Sequence, residues 1–135
     1  MAEAPRLFRV ILQVPDLDRA EQFYGELLGD KGRRIPRASR HYIDCGSVIL
    51  ALVDVTADGE KPKPLPDNIY FAVANLNEVH TRAKALNCLS NEDVHGDSAA
   101  DIVVRPWGER SFYVTDPWDN KLCFVDETTL FTGKQ

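Results

Sequence analysis

The histidines, cysteines and tryptophans of this 135-residue chain carry most of its chemical potential, and their spacing restricts what they can do. His41, His80 and His95 form no spaced ligand set of the kind that binds a metal from one helix or turn. His80 falls on the polar side of a predicted helix and reads as solvated, and His95 lies in a polar stretch. His41 opens a predicted strand and is the one credible acid–base group. Cys45, Cys88 and Cys123 are odd in number, widely spaced and without a C-x-x-C pair, which argues against a disulfide framework or a zinc knuckle. Cys123 sits in an apolar strand, where a thiol is either a reactive group or a small buried hydrophobe. The chain has no Gly-rich phosphate loop, no nucleophile elbow and no paired-carboxylate motif.

These side chains must be positioned by regular elements, which the pattern of apolar residues locates. Phe8, Val10, Leu12 and Val14 alternate with Arg9, Ile11 and Gln13, predicting a strand with two unlike faces. Pro15 ends it and Asp16 caps a helix whose stripe is Leu17, Ala20, Tyr24 and Leu27, with Phe23 beside it and Gly29 as the stop. The basic run from Lys31 to Arg40 reads as loop with a short edge strand. Two strands joined at Gly46 follow, over 42–45 and 47–53. Residues 56–66, with Gly59, Pro62, Pro64 and Pro66, read as an exposed connection. A strand over 68–74 leads to a second helix, capped by Asn75 with Glu78 completing a capping box, and striped by Leu76, Val79, Ala83 and Leu86. Residues 90–101 read as a polar loop. Strands over 102–105, 111–115 and 122–125 close the chain, the last two joined by the turn Asp116-Pro117-Trp118-Asp119-Asn120. The order β-α-β-β-β thus occurs twice. The two copies match locally, with Val14, Asp16 and Leu17 answered by Val73, Asn75 and Leu76.

Composition narrows the function classes. A net charge of −5 argues against nucleic acid, whose phosphates need a basic footprint. No apolar run approaches the roughly 20 residues that span a bilayer, so no membrane partner is expected. The start, Met1 to Arg6, lacks the order of a signal peptide, and cytoplasmic residence is the expectation.

The pattern resembles the vicinal oxygen chelate superfamily, which groups glyoxalase I, extradiol dioxygenases, fosfomycin-resistance enzymes and bleomycin-resistance proteins. The residues that carry the resemblance are Val14-Pro15-Asp16-Leu17, Phe23-Tyr24, Leu28-Gly29, the second strand–helix pair, and Pro106 to Phe124. Pro106-Trp107-Gly108-x-Arg110-x-Phe112, then Asp116-Pro117-x-x-Asn120, is most similar to the bleomycin-resistance branch. Two departures stand out. The family usually has Asp-Gly where Trp118-Asp119 stands, and the branch usually has Glu in place of Ser111. The resemblance implies an α+β fold, a single domain over 1–135. Its two β-α-β-β-β modules, about 6–55 and 68–127 with a linker at 56–67, would form curled mixed sheets around a cleft.

The resemblance also implies where the enzymes' metal ligands would fall, namely Arg9, Ala51, Asn68 and Cys123. A divalent cation needs convergent carboxylates or imidazoles. Arg9 repels a cation, Ala51 has no donor, Asn68 offers one neutral oxygen, and one thiolate at Cys123 is not a site. No metal and no cofactor are therefore expected. Arg9 fits either an anchor for a ligand carboxylate or phosphate, or a structural ion pair. Tyr70 fits ligand stacking or simple packing, and Trp107 a stacking wall or a core plug. Trp118 marks a cleft rim or covers its hairpin. Ala51, Asn68 and Cys123, together with Gln13, His41 and Phe112, complete the expected cleft contacts. The expected function is a metal-free, homodimeric binding protein that sequesters an apolar or aromatic small-molecule ligand of the antibiotic or toxin type. The competing reading is an enzyme of lyase, isomerase or dioxygenase type with a non-standard or metal-free site. A domain with a vestigial cleft is the third.

Overall fold

The computed structural model describes residues 4–134, so the part of the N-terminal reading that rests on residues 1–3 lies outside the described residues. The chain divides into two compact units, Met1–Lys63 and Pro64–Gln135.

In unit one, β1 (Arg9–Val14) leads into α1 (Leu17–Leu28), and β2 (Arg33–Ile35), β3 (Arg40–Cys45) and β4 (Val48–Asp54) follow. The sheet order is β1-β4-β3-β2, with β1 parallel to β4 and the other pairs antiparallel. Asp16 caps α1 through a hydrogen bond from the Arg19 N–H (3.1 Å), and Gly29 ends it in the left-handed region at φ 77°. The predicted stripe Leu17, Ala20, Phe23, Tyr24 and Leu27 is buried. Burying each large member contributes about 1.5–3 kcal/mol. Register puts Leu12, Leu52 and His41 side by side on the face that α1 covers. Arg9, Ile11, Gln13, Ile49, Ala51, Val53, Arg40, Tyr42 and Asp44 share the opposite face.

In unit two, β5 (Ile69–Val73), α2 (Leu76–Ala85), β8 (Val103–Val104), β9 (Arg110–Thr115) and β10 (Lys121–Asp126) repeat the plan. The sheet order is β5-β10-β9-β8, again with the first and last strands of the unit parallel. Ile69, Phe71, Leu122, Phe124, Val114 and Phe112 share the helix-covered face, where Phe124 stacks on both Phe71 (5.2 Å) and Phe112 (5.5 Å). Tyr70, Ala72, Cys123, Val125, Tyr113 and Ser111 share the other. The result is an α+β fold of two modules, each an open, mixed, four-stranded sheet with one helix.

Three local features differ from expectation. The stretch 90–101 is not bare loop but holds the hairpin β6 (Asp93–Val94) and β7 (Asp97–Ser98). His95 and Gly96 at its tip both have positive φ (50° and 83°), the requirement of a tight primed turn. The connection after β4 begins with a 3-10 turn, Val55–Asp58, capped by Asp54. At α2, Asn75 accepts from the Glu78 N–H (3.1 Å), but the Glu78 carboxylate meets the Asn75 side-chain amide (3.4 Å) instead of its backbone.

Candidate functional site

On the helix-distal face of unit one, Arg9 reaches from β1 across β4 to β3, where its Nη1 donates to the Tyr42 hydroxyl at 2.9 Å. The reach spans two inter-strand gaps of roughly 5 Å each. It is open because the intervening β4 residue beside Tyr42 is Ala51, which is fully buried and has no side chain beyond Cβ. Arg40 donates to the same hydroxyl at 3.3 Å. Burial of the Tyr42 phenol would raise its pKa. Hydrogen bonds and charge from Arg40 and Arg9 outweigh that and hold it below the usual tyrosine value. Gln13 accepts from the Lys63 N–H at 2.8 Å, fixing the segment beyond the 3-10 turn.

On unit two, the helix-distal face has two regions. Cys123, Tyr113 and Val125 are covered by the chain's own segment 94–99, with Ala99 and Val94 packed on them. Burial pushes the Cys123 thiol up to about 11, against the opposing pull of hydrogen bonds with Ser111 and Tyr113 and of the Arg105 charge. This is the inert, hydrophobe-like thiol, not a nucleophile. Arg105 is itself buried, donating to the Ser111 hydroxyl (3.1 Å), the Ser111 carbonyl (3.0 Å) and the Asp101 carbonyl (3.2 Å). It clamps the 101–111 segment.

Beside this plugged region lies a pocket of about 390 Å³, lined by Tyr70, Phe71, Ala72, Trp107, Glu109, Val125, Leu130 and Phe131. Its geometry is organised by one carboxylate. Glu109 Oε1 accepts from the Trp107 indole N–H at 2.7 Å, and Oε2 accepts from the Phe131 backbone N–H at 2.9 Å. Both the indole and the chain beyond the last strand are thereby held. The Arg110 N–H, donating to the Thr129 hydroxyl at 3.0 Å, secures the same segment. His95, at the tip of the β6–β7 hairpin, meets the Trp107 ring edge-on with centroids 5.1 Å apart. Tyr70 and Phe131, at 56% and 53% exposure, leave the mouth open.

The structure thus brings Tyr70 and Trp107 together, and it moves two expected contacts elsewhere. His41 is 1% exposed and faces α1, with Nδ1 3.2 Å from Glu21 Oε1 and Nε2 2.6 Å from the Lys31 carbonyl. Its place in the alternation of β3 is opposite to that of Tyr42. Phe112 is fully buried between Phe124 and His80 on the α2 side, because it is out of phase with Ser111 and Tyr113. His80 is not simply solvated: its Nε2 is 2.9 Å from the Ala100 carbonyl. Asn68 lies just before β5 and is partly buried, and Trp118 is partly buried in its turn. Glu109, Leu130, Phe131, Arg40 and Tyr42 were not anticipated. The signal for the tail was an apolar pair, Leu130-Phe131, beyond the last strand. The signal for Glu109 was a carboxylate two residues from an indole.

The four positions that the resemblance equates with metal ligands keep a common phase in the two units. Ala51 is paired with Ile11, two residues beyond Arg9, and Cys123 with Tyr70, two residues beyond Asn68. The donor set does not fit a divalent cation. It offers a guanidinium, a methyl, a carboxamide and a buried thiol that holds its proton. Among the described residues no other group of three or more His, Cys, Asp or Glu side chains converges.

A duplicated β-α-β-β-β unit whose first and last strands pair in parallel defines a recognisable class. The chain matches the glyoxalase/bleomycin resistance protein/dioxygenase superfamily over residues 6–124, and it belongs to that superfamily. A glyoxalase/bleomycin resistance protein from Albidiferax ferrireducens T118 is similar in structure, with a TM-score of 0.68 at 20% identity over 89% of this chain and 97% of that one. A lactoylglutathione lyase from Agrobacterium tumefaciens gives 0.62 at 23% identity, over 93% and 96% of the two chains. A glyoxalase-related enzyme from Fulvimarina pelagi gives 0.68 at 19% identity, over 91% and 88%. At these identities the likeness is one of fold. No curated protein matches the sequence.

Proposed function

We propose that this protein binds a small aromatic molecule in the unit-two pocket and holds it without a metal ion, as a sequestering protein would hold a drug or toxin. The observation that carries this reading is the pocket itself, of about 390 Å³, with Trp107, Tyr70 and Phe131 as walls and a single carboxylate, Glu109. That volume is at the lower end of the range for small-molecule sites and suits one or two fused rings. Trp107 is held by its N–H, so its ring face is presented without further ordering, which favours stacking. The enzyme reading is less favoured, because the positions of the superfamily's metal ligands carry groups unsuited to a cation.

The exposed Leu7, Phe8 and Ile11 support assembly into a homodimer. Three free cysteines suit a reducing compartment, and we place the protein in the cytoplasm. Among the described residues no helix is long and apolar enough to cross a membrane.

Titration with planar aromatic compounds, followed by tryptophan fluorescence, tests the reading. At least one compound should quench the Trp107 emission, and Trp107→Ala should weaken its binding by about tenfold or more. Untagged protein should carry no stoichiometric divalent metal. Binding unchanged in Trp107→Ala, or one tightly held metal per chain, would overturn the proposal.

A further inference from the structure

We propose that the helix-distal face of unit one is an oxyanion subsite, where the Arg9 and Arg40 guanidiniums, converging on the Tyr42 hydroxyl, hold a phosphate or carboxylate group of a small molecule.

The cations of this chain are unevenly partnered. Arg33, Arg34, Arg82, Arg110 and Lys121 each have a carboxylate within ion-pair distance. Arg9 and Arg40 have none among the described residues, yet both point at one oxygen, at 2.9 and 3.3 Å. Two like charges held that close repel each other, and a neutral hydroxyl offsets little of that repulsion. Each guanidinium carries five N–H donors in a planar fork, and most are unspent on Tyr42. Two forks converging on one point match the several oxygens of a phosphate or carboxylate.

The rest of the face reinforces the sign. β4 contributes only Ile49, Ala51 and Val53 here, and β1 adds Ile11 and the uncharged Gln13. The carboxylate in phase with Tyr42 is Asp44, and Arg33 from β2 already occupies it at 3.0 Å. Three guanidiniums therefore face one carboxylate on a chain of net charge −5. Ala51 adds no side chain beyond its Cβ above β4, and its neighbours Ile11, Ile49 and Val53 bring no anion to compete for the guanidiniums. Arg9 stands where the resemblance implies a cation ligand, and a guanidinium there excludes a cation and complements an oxyanion instead. The depressed pKa of Tyr42 registers the same uncompensated field.

Tyr42 is also a built-in reporter. Inorganic phosphate and benzoate would be titrated separately at constant ionic strength, with chloride as control. Binding would be read by calorimetry, and Tyr42 ionisation by ultraviolet difference against Tyr42→Phe. A bound anion offsets the guanidinium field, so Tyr42 should ionise at higher pH in its presence. Binding should weaken about tenfold in Arg9→Met and in Arg40→Met, the loss expected for one charge-assisted fork. Lys84→Met, which removes the same charge from the exposed side of α2, should leave it unchanged. Binding of phosphate alone identifies a phosphate ligand and of benzoate alone a carboxylate, and either supports the subsite. No binding by either anion, or equal losses in Lys84→Met and the two arginine variants, overturns it. The pocket of unit two does not enter this test, so failure here leaves that proposal standing.

Discussion

Asp119 sits in the left-handed region at φ 69°, in the turn that joins β9 to β10. The resemblance implies glycine there, and glycine is the residue that adopts this conformation without a Cβ penalty. Aspartate tolerates it better than most, which explains why the departure is accepted. The turn is held mainly by another residue, Asp116, whose Oδ1 accepts from the Trp118 and Asn120 N–H groups, both at 2.8 Å. Replacing Asp119 by glycine should therefore keep the turn and raise stability by about 0.5–1 kcal/mol, measured by denaturant unfolding. At this scale the sequence was only partly legible. Tyr70 and Trp107 could be singled out as aromatic side chains near a turn or on an open strand face. His41 and Phe112 were misjudged because one residue of register carries a side chain to the other face. Glu109 was missed because its role depends on Phe131, which lies far along the chain.

The elements were the most legible level. Periodicity and caps located α1, α2 and the longer strands, since each signal is local: an apolar stripe, an Asp or Asn at the start, a glycine at the stop. The β6–β7 hairpin escaped because its strands are two residues long and its sequence is polar throughout. β2 depends on a device that is invisible in the sequence. Gly32, just before it, has φ 67°, and its N–H donates to Asp30 at 2.8 Å. A Cβ at this position would clash with the Tyr42 carbonyl and with the Ile43 side chain, neither of which can retreat from the sheet. Gly32→Ala should cost about 2–4 kcal/mol and loosen the β2 edge. Thermal unfolding gives the stability, and hydrogen exchange of the β2–β3 amides gives the location.

For the whole molecule, the buried thiols set an alkaline limit. Burial pushes both Cys88 and Cys123 from 9.0 up to about 11 in the folded state. Below pH 9 both folded and unfolded chains hold these protons, and the contribution to stability is complete. Between pH 9 and about 11 the unfolded chain releases protons that the folded chain retains, so stability falls with rising pH. The loss should be on the order of 1 kcal/mol or more per thiol. Denaturant midpoints from pH 8 to 11 should decline, and the decline should be shallower in the Cys88→Ala/Cys123→Ala variant. A midpoint that is flat over this interval would contradict the assignment. The two-module plan of the molecule was legible from the repeated strand–cap–helix segment. The pocket was not, because its walls come from three separated segments and its size depends on how they pack.

The pairing of first with last strand inside each unit also orders events in time. Ile69 of β5 has no partner until Leu122 has been made, and Arg9 of β1 waits for Ile49 in the same way. Everything between must be synthesised while an apolar strand edge stands open, the condition under which nascent chains mispair. Closing these parallel contacts also requires a long loop to be brought together before any reward is collected, which slows folding. The first unit can complete itself while the second is still being made. The second, carrying the aromatic pocket, should be the late and chaperone-sensitive half of the chain.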